Sequence, residues 1–379
     1  MRIGVPKETV EGERRVALVP EVVRKLVGAG HSVVVERGAG AGAMIPDAAF
    51  EEAGAGVTGD VAGVWQSEVV VKVAPPGGEE VVRLGRDSVL IGFLQPLTNG
   101  VGVRALAGSG ATGFALEAVP RISRAQSMDA LSSQSNIAGY RAVLLGAMEL
   151  GRFFPLLMTA AGTVRPATVL VLGVGVAGLQ ALATARRLGA VVQGFDVRAV
   201  VREQVESLGA TFLEFDLGGD LEGEGGYARE LTAEQQARQQ VLMAEAIGRV
   251  DVVITTALVP GRRAPILVTE DAVRLMKPGS VVVDLAGEAG GNCELSVPGE
   301  SVVRHDVKIL APLNVPSTMA EHASQLYARN IEALLGLMVR DGELVLDFED
   351  EVIAGACVTR GGEIVHEGAK AAAGAGASA

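Results

Sequence analysis

The sequence predicts an α/β protein built on two parallel sheets, and three observations on its 379 residues carry that reading. Short apolar runs alternate with amphipathic segments over most of the chain, the pattern of parallel strands covered by helices. That alternation runs once from Arg2 to Phe93, then starts again at Thr168 after a long amphipathic stretch. The second series opens on a strand, a glycine-rich turn and a helix. The length accommodates two domains, each able to bury a core without disulfides or a structural metal.

In chain order, Arg2–Val5 reads as a strand, residues 21–28 as a helix and Ser32–Glu36 as the next strand, with strands at 68–74 and 88–93 following. Residues 38–42 read as a surface loop, because no Lys-Ser/Thr pair follows as a phosphate loop requires. A long helix is expected over 127–150, where Met128, Leu131, Ile137, Val143, Leu144 and Met148 recur near helical spacing. Thr168–Leu172 then opens a strand series that continues at 191–196, 211–215, 251–255, 280–286 and 307–311. A last helix, about 317–339, leaves this series and is expected to return to the first domain. The domains expected are therefore 1–132, then 133–319, with 320–369 returning to the first. Residues 370–379, nearly all Ala, Gly and Ser, are expected to form a flexible tail.

Composition narrows the function. Asp and Glu outnumber Lys and Arg by 45 to 33, a net charge of −12, which argues against a nucleic-acid backbone as partner. With 49% hydrophobic and 21% charged residues the chain fits a globular protein rather than a disordered one. Cys293 and Cys357 form neither a disulfide framework nor a thiolate cage. His31, His305, His322 and His366 fall in no metal-ligand spacing, so no metal is expected, and no G-x-S-x-G elbow occurs. The opening MRIGVPKE lacks the charged and apolar regions of a secretion signal. Mean hydropathy is +0.34, and the uncharged stretch 166–185 is long enough to register as a membrane span. Its interior is Gly173-Val-Gly-Val-Ala-Gly178, followed by Gln180, which fits a strand, turn and helix better.

Gly173, Gly175 and Gly178 satisfy G-x-G-x-x-G. In a chain with 50 glycines the spacing alone means little, but its context is specific. A strand precedes it, a helix follows, and the next strand ends at Asp196, about 20 residues on, as a dinucleotide fingerprint requires. The first glycine permits a tight turn, the second lets backbone approach a diphosphate, and the third allows close helix packing. The helix N-terminus adds amide donors and partial positive charge. Asp196 would accept hydrogen bonds from the adenosine ribose and repel a 2′-phosphate, favouring NAD(H) over NADP(H). Arg198 could attract a phosphate, but the carboxylate at the strand end is the stronger cue. The second domain is thus expected to be Rossmann-like, and the nucleotide cleft is expected between the two domains.

Elsewhere the residues leave alternatives open. In 121–129 (RISRAQSMD), Ser127 could cap the long helix with Asp129 favouring its first turn. Equally, Arg121, Gln126 and Asp129 could hold the carboxamide and ribose of a nicotinamide. Residues 222–227 (EGEGGY) read either as a plain surface loop or as a closing lid tipped by Tyr227. Lys72 and Arg15 flank apolar runs, and each taken alone reads as a solvated strand-end charge. Hydride transfer is the chemistry best supported. Between two nicotinamides it needs proximity and orientation, without a general acid or base.

Over nearly its whole length the chain resembles the NAD(H)-binding component, domain I, of proton-translocating nicotinamide nucleotide transhydrogenase. The specific strings are 121–140 (RISRAQSMDALSSQSNIAGY), 225–230 (GGYARE), 255–261 (TTALVPG) and 283–293 (VDLAGEAGGNC). The resemblance implies that Arg121, Gln126, Ser127, Met128, Asp129 and Ser132 form the loop at the nicotinamide end, with Arg121, Gln126 and Asp129 serving the transfer. It implies that Val176, Ala177, Asp196, Val197 and Arg198 hold the diphosphate and adenosine ribose, and that Ala257 and Leu258 line the site. Gly226 and Tyr227 would belong to a mobile loop that closes on the nucleotide. It further implies a homodimer, inactive alone, that docks an NADP(H)-binding subunit and a membrane subunit, with hydride passing directly to NADP⁺ while protons cross the membrane. The location implied is cytoplasmic, on the inner membrane's cytoplasmic face through those partners.

Alanine dehydrogenase is the nearest alternative, sharing 2–8 (RIGVPKE) and 14–20 (RRVALVP), with a substrate clamp resembling Arg15 and Lys72. Its catalytic His should fall within 92–96, where this chain has Gln95, and Glu288 stands in place of an Asp. An amide has no useful pKa for proton donation. A non-catalytic NAD-binding module is the third reading. Some transhydrogenase relatives continue into membrane helices, whereas this sequence continues into the Ala/Gly segment, so a separate subunit without direct membrane insertion is expected.

Overall fold

The structure, a computed structural model, describes residues 1–215 and 233–375. It divides into two units, Met1–Gln134 with Pro316–Ala379, and Ser135–Val315.

Among the described residues, the first unit carries an eight-stranded sheet. From one edge its strands are Glu363–Ile364, Cys357–Arg360, Thr112–Ala115, Val89–Gly92, Val69–Val71, Arg2–Val5, Ser32–Glu36 and Gly56–Thr58. Every pairing from Thr112–Ala115 to Gly56–Thr58 is parallel, and the two C-terminal strands add antiparallel. Val69, Val70 and Val71 are fully buried, as a central parallel strand covered on both faces requires. The helix Ala320–Met338 belongs to this unit, burying Tyr327, Ile331, Leu334, Leu335 and Met338 in its core. Polar contacts fix it there: Ser324 Oγ accepts from Val16 N at 3.0 Å, and Tyr327 donates to the Lys72 carbonyl at 2.7 Å.

Seven strands make the second sheet among the described residues, in the order Thr211–Phe212, Val191–Phe195, Thr168–Leu172, Val252–Thr255, Val281–Asp284, Val307–Leu310 and Ser301–Arg304. All pair in parallel except the last, which pairs antiparallel. The chain therefore starts in the middle, builds outward to one side, and returns to build on the other. The order reverses between Thr168–Leu172 and Val252–Thr255, the switch point outside whose carboxyl ends open α/β sheets bind ligands. The α/β class with two Rossmann-like parallel sheets is the one the apolar alternation predicts. Among the described residues no helix is long and apolar enough to cross a membrane, and 166–185 is the expected strand, turn and helix.

Four local expectations fail. The long helix spans Ala130–Glu149, preceded by a 3₁₀ segment Ser123–Met128. Its cap is Asp129, not Ser127: the carboxylate accepts from Ser132 N at 2.8 Å and from Ser132 Oγ at 2.6 Å. Leu131 and Met148 are exposed, although they fit the helical stripe. Residues 38–42 are a packed turn rather than a surface loop. Ala39 is buried, and a Cβ on Gly40 would come within 2.6 Å of the Ile45 carbonyl. Residues 371–375 continue a helix, Glu367–Ala375, which buries Ala369 and Ala373. A Cβ on Gly100 would lie 2.4 Å from the Ala372 carbonyl, so small residues serve close packing there.

Lys72 and Arg15 are the fourth correction. Lys72 is fully buried, 3.0 Å from Glu8 and 3.2 Å from Glu80, with its ammonium over the Trp65 ring. Arg15 is buried 2.6 Å from Glu13 and donates to Gln134 at 2.9 Å. Buried charge persists when opposite charge and hydrogen bonds accompany it. Reading each cation alone missed Glu13, two residues from Arg15, and Glu8, which the fold brings to Lys72 from the start of the chain.

Candidate functional site: a nucleotide-binding turn

The strand Thr168–Leu172 ends at Gly173, whose φ of +91° suits glycine and turns the chain sharply toward the helix Val176–Arg187. Gly173 N donates to the Phe195 carbonyl at 2.9 Å, and its own carbonyl accepts from Thr256 Oγ1 at 2.7 Å. Gly178 faces this carbonyl across the turn, so a Cβ there would lie 2.0 Å from it. Gly175 caps the helix in extended conformation and differs sharply. A Cβ there would meet nothing closer than the Arg198 guanidinium at 4.0 Å. That open space beside the amides of the first helical turn fits an approaching diphosphate.

Asp196 stands at the end of the neighbouring strand. Its carboxylate accepts from Val174 N at 2.7 Å, Arg198 N at 2.9 Å, and the Arg198 side chain at 2.9 and 3.1 Å. Burial alone would raise its pKa. The Arg198 guanidinium and the two amides outweigh that and hold it below the ordinary value. Asp196 is therefore an anion at the turn, paired with the Arg198 guanidinium. Val176, Val197 and Leu258 are exposed, and Ala177 and Ala257 half-buried.

In the first unit, Arg121, Gln126 and Ser127 are exposed and available to a ligand. Met128 is different, since its side chain packs into the core and leaves only backbone for contact. Asp129 and Ser132 bond one another in the helix cap. The neighbouring Arg124 pairs with Asp350 at 2.8 Å. Gln95, at φ +53°, donates its backbone N–H to Glu117 at 2.6 Å, and burial pushes Glu117 up to about 7. Gly226 and Tyr227 lie outside the described residues. Cys293 and Cys357 are free and buried, and burial raises both thiols to about 11, so neither is a ready nucleophile.

Sequence reasoning missed three residues that build the turn's far wall: Thr256, which bonds Gly173, and the buried pair Asp284 and Asn292. The adjacent threonines 255–256 and the Asn after two glycines were the available signal. Only the fold brings them to the turn.

The family described as alanine dehydrogenase/PNT matches by its N-terminal domain over residues 4–138 and by its C-terminal domain over 142–367. An NAD(P) transhydrogenase subunit alpha chain of Rhodospirillum rubrum is 53% identical over 376 residues, 97% of this chain and 98% of that protein. The alanine dehydrogenase of Mycobacterium tuberculosis is 33% identical over 329 residues, covering 84% and 82%. The crystal structure of a transhydrogenase from Sinorhizobium meliloti matches with a TM-score of 0.85 at 44% identity, covering 97% of this chain and 99% of that one. The chain therefore belongs to the alanine dehydrogenase/PNT family, on the side of its NAD(P) transhydrogenase alpha subunits.

Proposed function

We propose that this subunit binds NADH at the glycine turn and presents it for direct hydride transfer to NADP⁺ held on a partner subunit. The observation that carries the reading is the space at Gly175, open beside helix amides and flanked by the anionic Asp196. Glycine backbone and helix amides take the diphosphate, and Asp196 takes the adenosine ribose. Val176, Ala177, Val197 and Arg198 flank these groups, and Ala257 and Leu258 line the wall. Arg121, Gln126, Ser127, Asp129 and Ser132, with the Met128 backbone, take the nicotinamide end. Of these, Arg121, Gln126 and Asp129 orient the ring for transfer. NADH supplies the hydride, so the protein's work is to align it and exclude water. Gln95, where alanine dehydrogenases need a proton donor, supports transfer between nucleotides over amino-acid oxidation.

In this reading the subunit works as a homodimer, inactive alone. It joins an NADP(H)-binding subunit and a membrane subunit that couples transfer to proton movement, on the cytoplasmic face of the inner membrane. Gly226 and Tyr227 close over the bound nucleotide.

The test uses the purified chain in three assays: NADH titration, alanine-dependent NAD⁺ reduction, and NADH-to-NADP⁺ transfer with the partner subunits added. Expected are saturable NADH binding, no alanine turnover, and transfer only with the partners. Alanine turnover by the chain alone overturns the proposal. Binding without transfer to any partner leaves a nucleotide-binding module instead.

A further inference from the structure

At the switch point, the wall of the glycine turn is a short backbone segment, Thr256–Ala257. A Cβ on Gly173 would lie 3.0 Å from Ala257 N and 3.2 Å from its Cα. Thr256 is tied to the turn from both backbone and side chain, through Leu172 O at 2.9 Å and Gly173 O at 2.7 Å. Ala257 is held from the other side by one fully buried side chain, Asn292. The Asn292 Oδ1 accepts from Ala257 N at 3.0 Å, while its Nδ2 donates to Ala257 O at 2.9 Å and to Pro265 O at 2.7 Å. A single amide thus grips both polar groups of one residue, and its orientation is set because two carbonyls demand the NH₂ end.

Asn292 is held in turn. Its backbone N donates to Asp284 at 2.8 Å, and its carbonyl accepts from Leu267 N and Val268 N at 2.8 and 3.0 Å. Asp284, fully buried at its strand end, also accepts from Thr255 Oγ1, Ala286 N, Cys293 N and Ser296 Oγ at 2.7–3.0 Å. Five donors converge on this carboxylate and satisfy it without solvent. Thr255 and Asp284 also lie opposite each other in the sheet register. The Asp284 cluster therefore fixes both the strand end that launches the wall and the Asn that clips it.

We propose that Asn292, seated on Asp284, is the positioning residue for the nicotinamide half of the bound nucleotide, a proposal that rests on the NADH reading above. In a doubly wound sheet the two sides of the strand reversal serve the two mononucleotide halves. Asp196 follows the strand on the adenosine side. Ala257 follows the first strand on the other side, so its placement governs the nicotinamide half. Asn292 touches no ligand and acts through the Ala257 peptide. Displacing that peptide therefore costs NADH affinity and leaves the adenosine contacts intact.

The decisive comparison is NADH against 5′-AMP, titrated into the full chain and its Asn292→Asp variant at pH 8. The substitution keeps the size but turns a carboxylate oxygen toward two carbonyls, which opens the clip. The expected result is NADH binding about 10- to 100-fold weaker with 5′-AMP changed by less than about 3-fold. Amide exchange at 255–259 in the free protein should also accelerate. Thr255→Val, which removes one donor from Asp284 at nearly constant volume, should shift NADH the same way by about 2- to 5-fold, and it decides the question if Asn292→Asp does not fold. Equal losses of NADH and 5′-AMP reduce Asn292 to general stability and overturn the proposal, as does unchanged NADH affinity. An unsubstituted chain that binds neither ligand overturns the nucleotide reading itself.

Discussion

A methyl group on Gly178 would lie 2.0 Å from the Gly173 carbonyl oxygen, while one on Gly175 would meet only a guanidinium 4.0 Å away. The two glycines share a motif but do different work. Gly178→Ala forces backbone apart at the root of a helix and should destabilise the fold by about 2–4 kcal/mol, read as a lowered melting temperature. Gly175→Ala is compatible with its φ of −81° and should leave the melting temperature nearly unchanged. Its methyl group occupies the diphosphate space, so NADH affinity should fall at least about 10-fold. A Gly175→Ala protein that binds NADH normally would remove the diphosphate from this turn. The glycine spacing was legible in the sequence because backbone sterics are local. The identity of the atom facing Gly178 was also within reach, since Gly173 is five residues away. Thr256, Asp284 and Asn292 were not, because nothing local relates them to residue 173.

Elements were read most securely where valine runs build parallel strands. Val252, Val253, Val281, Val282 and Val283 are all fully buried, so two covered faces leave a continuous apolar signature. Errors cluster where short-range chemistry has several solutions. Both Ser127 and Asp129 can cap a helix, and the 3₁₀ turn at 123–128 decides for Asp129. At the other end, an Ala/Gly segment is soluble enough to be a tail, yet small residues also let two helices touch. Close approach is also built into the long helix Ala130–Glu149. A Cβ on Gly139 would lie 2.1 Å from the Ala177 carbonyl, at the first turn of the helix Val176–Arg187. Gly139→Ala should therefore act on two measurements together, costing about 1–3 kcal/mol of stability and weakening NADH binding as residue 177 shifts. A variant with lowered stability but full NADH affinity would show that the helix yields without disturbing the turn.

At the scale of the whole molecule, ion pairs and side-chain hydrogen bonds show how far apart cooperating residues can lie. Lys72 meets Glu8 from the start of the chain, and Ser133 bonds Asn330 at 2.7 Å across 197 residues. Amide exchange gives a whole-chain test of the proposed nucleotide contacts. Saturating NADH should protect 173–178, 196–198 and 255–258 in the second unit and 121–132 in the first. The edge strand Gly56–Thr58 should exchange as before. Protection confined to the second unit would take Arg121, Gln126 and Asp129 out of the site and leave adenosine-half binding alone.

By itself the sequence determined the α/β class, the strand–turn–helix at 166–185 and the anionic residue at the next strand's end. These depend on periodicity, glycine sterics and charge within a few residues of one another. Its longest strings also pointed to the transhydrogenase side of the family. Tertiary structure alone decided which strands are neighbours, and hence that Thr256 and Ala257 wall the turn opened by Gly173. It alone turned Lys72 inward onto Glu8 and Arg15 onto Gln134, and set Asn292 on Asp284 beneath the wall. Hydrogen bonds and ion pairs act over about 3 Å whatever the separation along the chain, so such partners exist only once the sheets have formed.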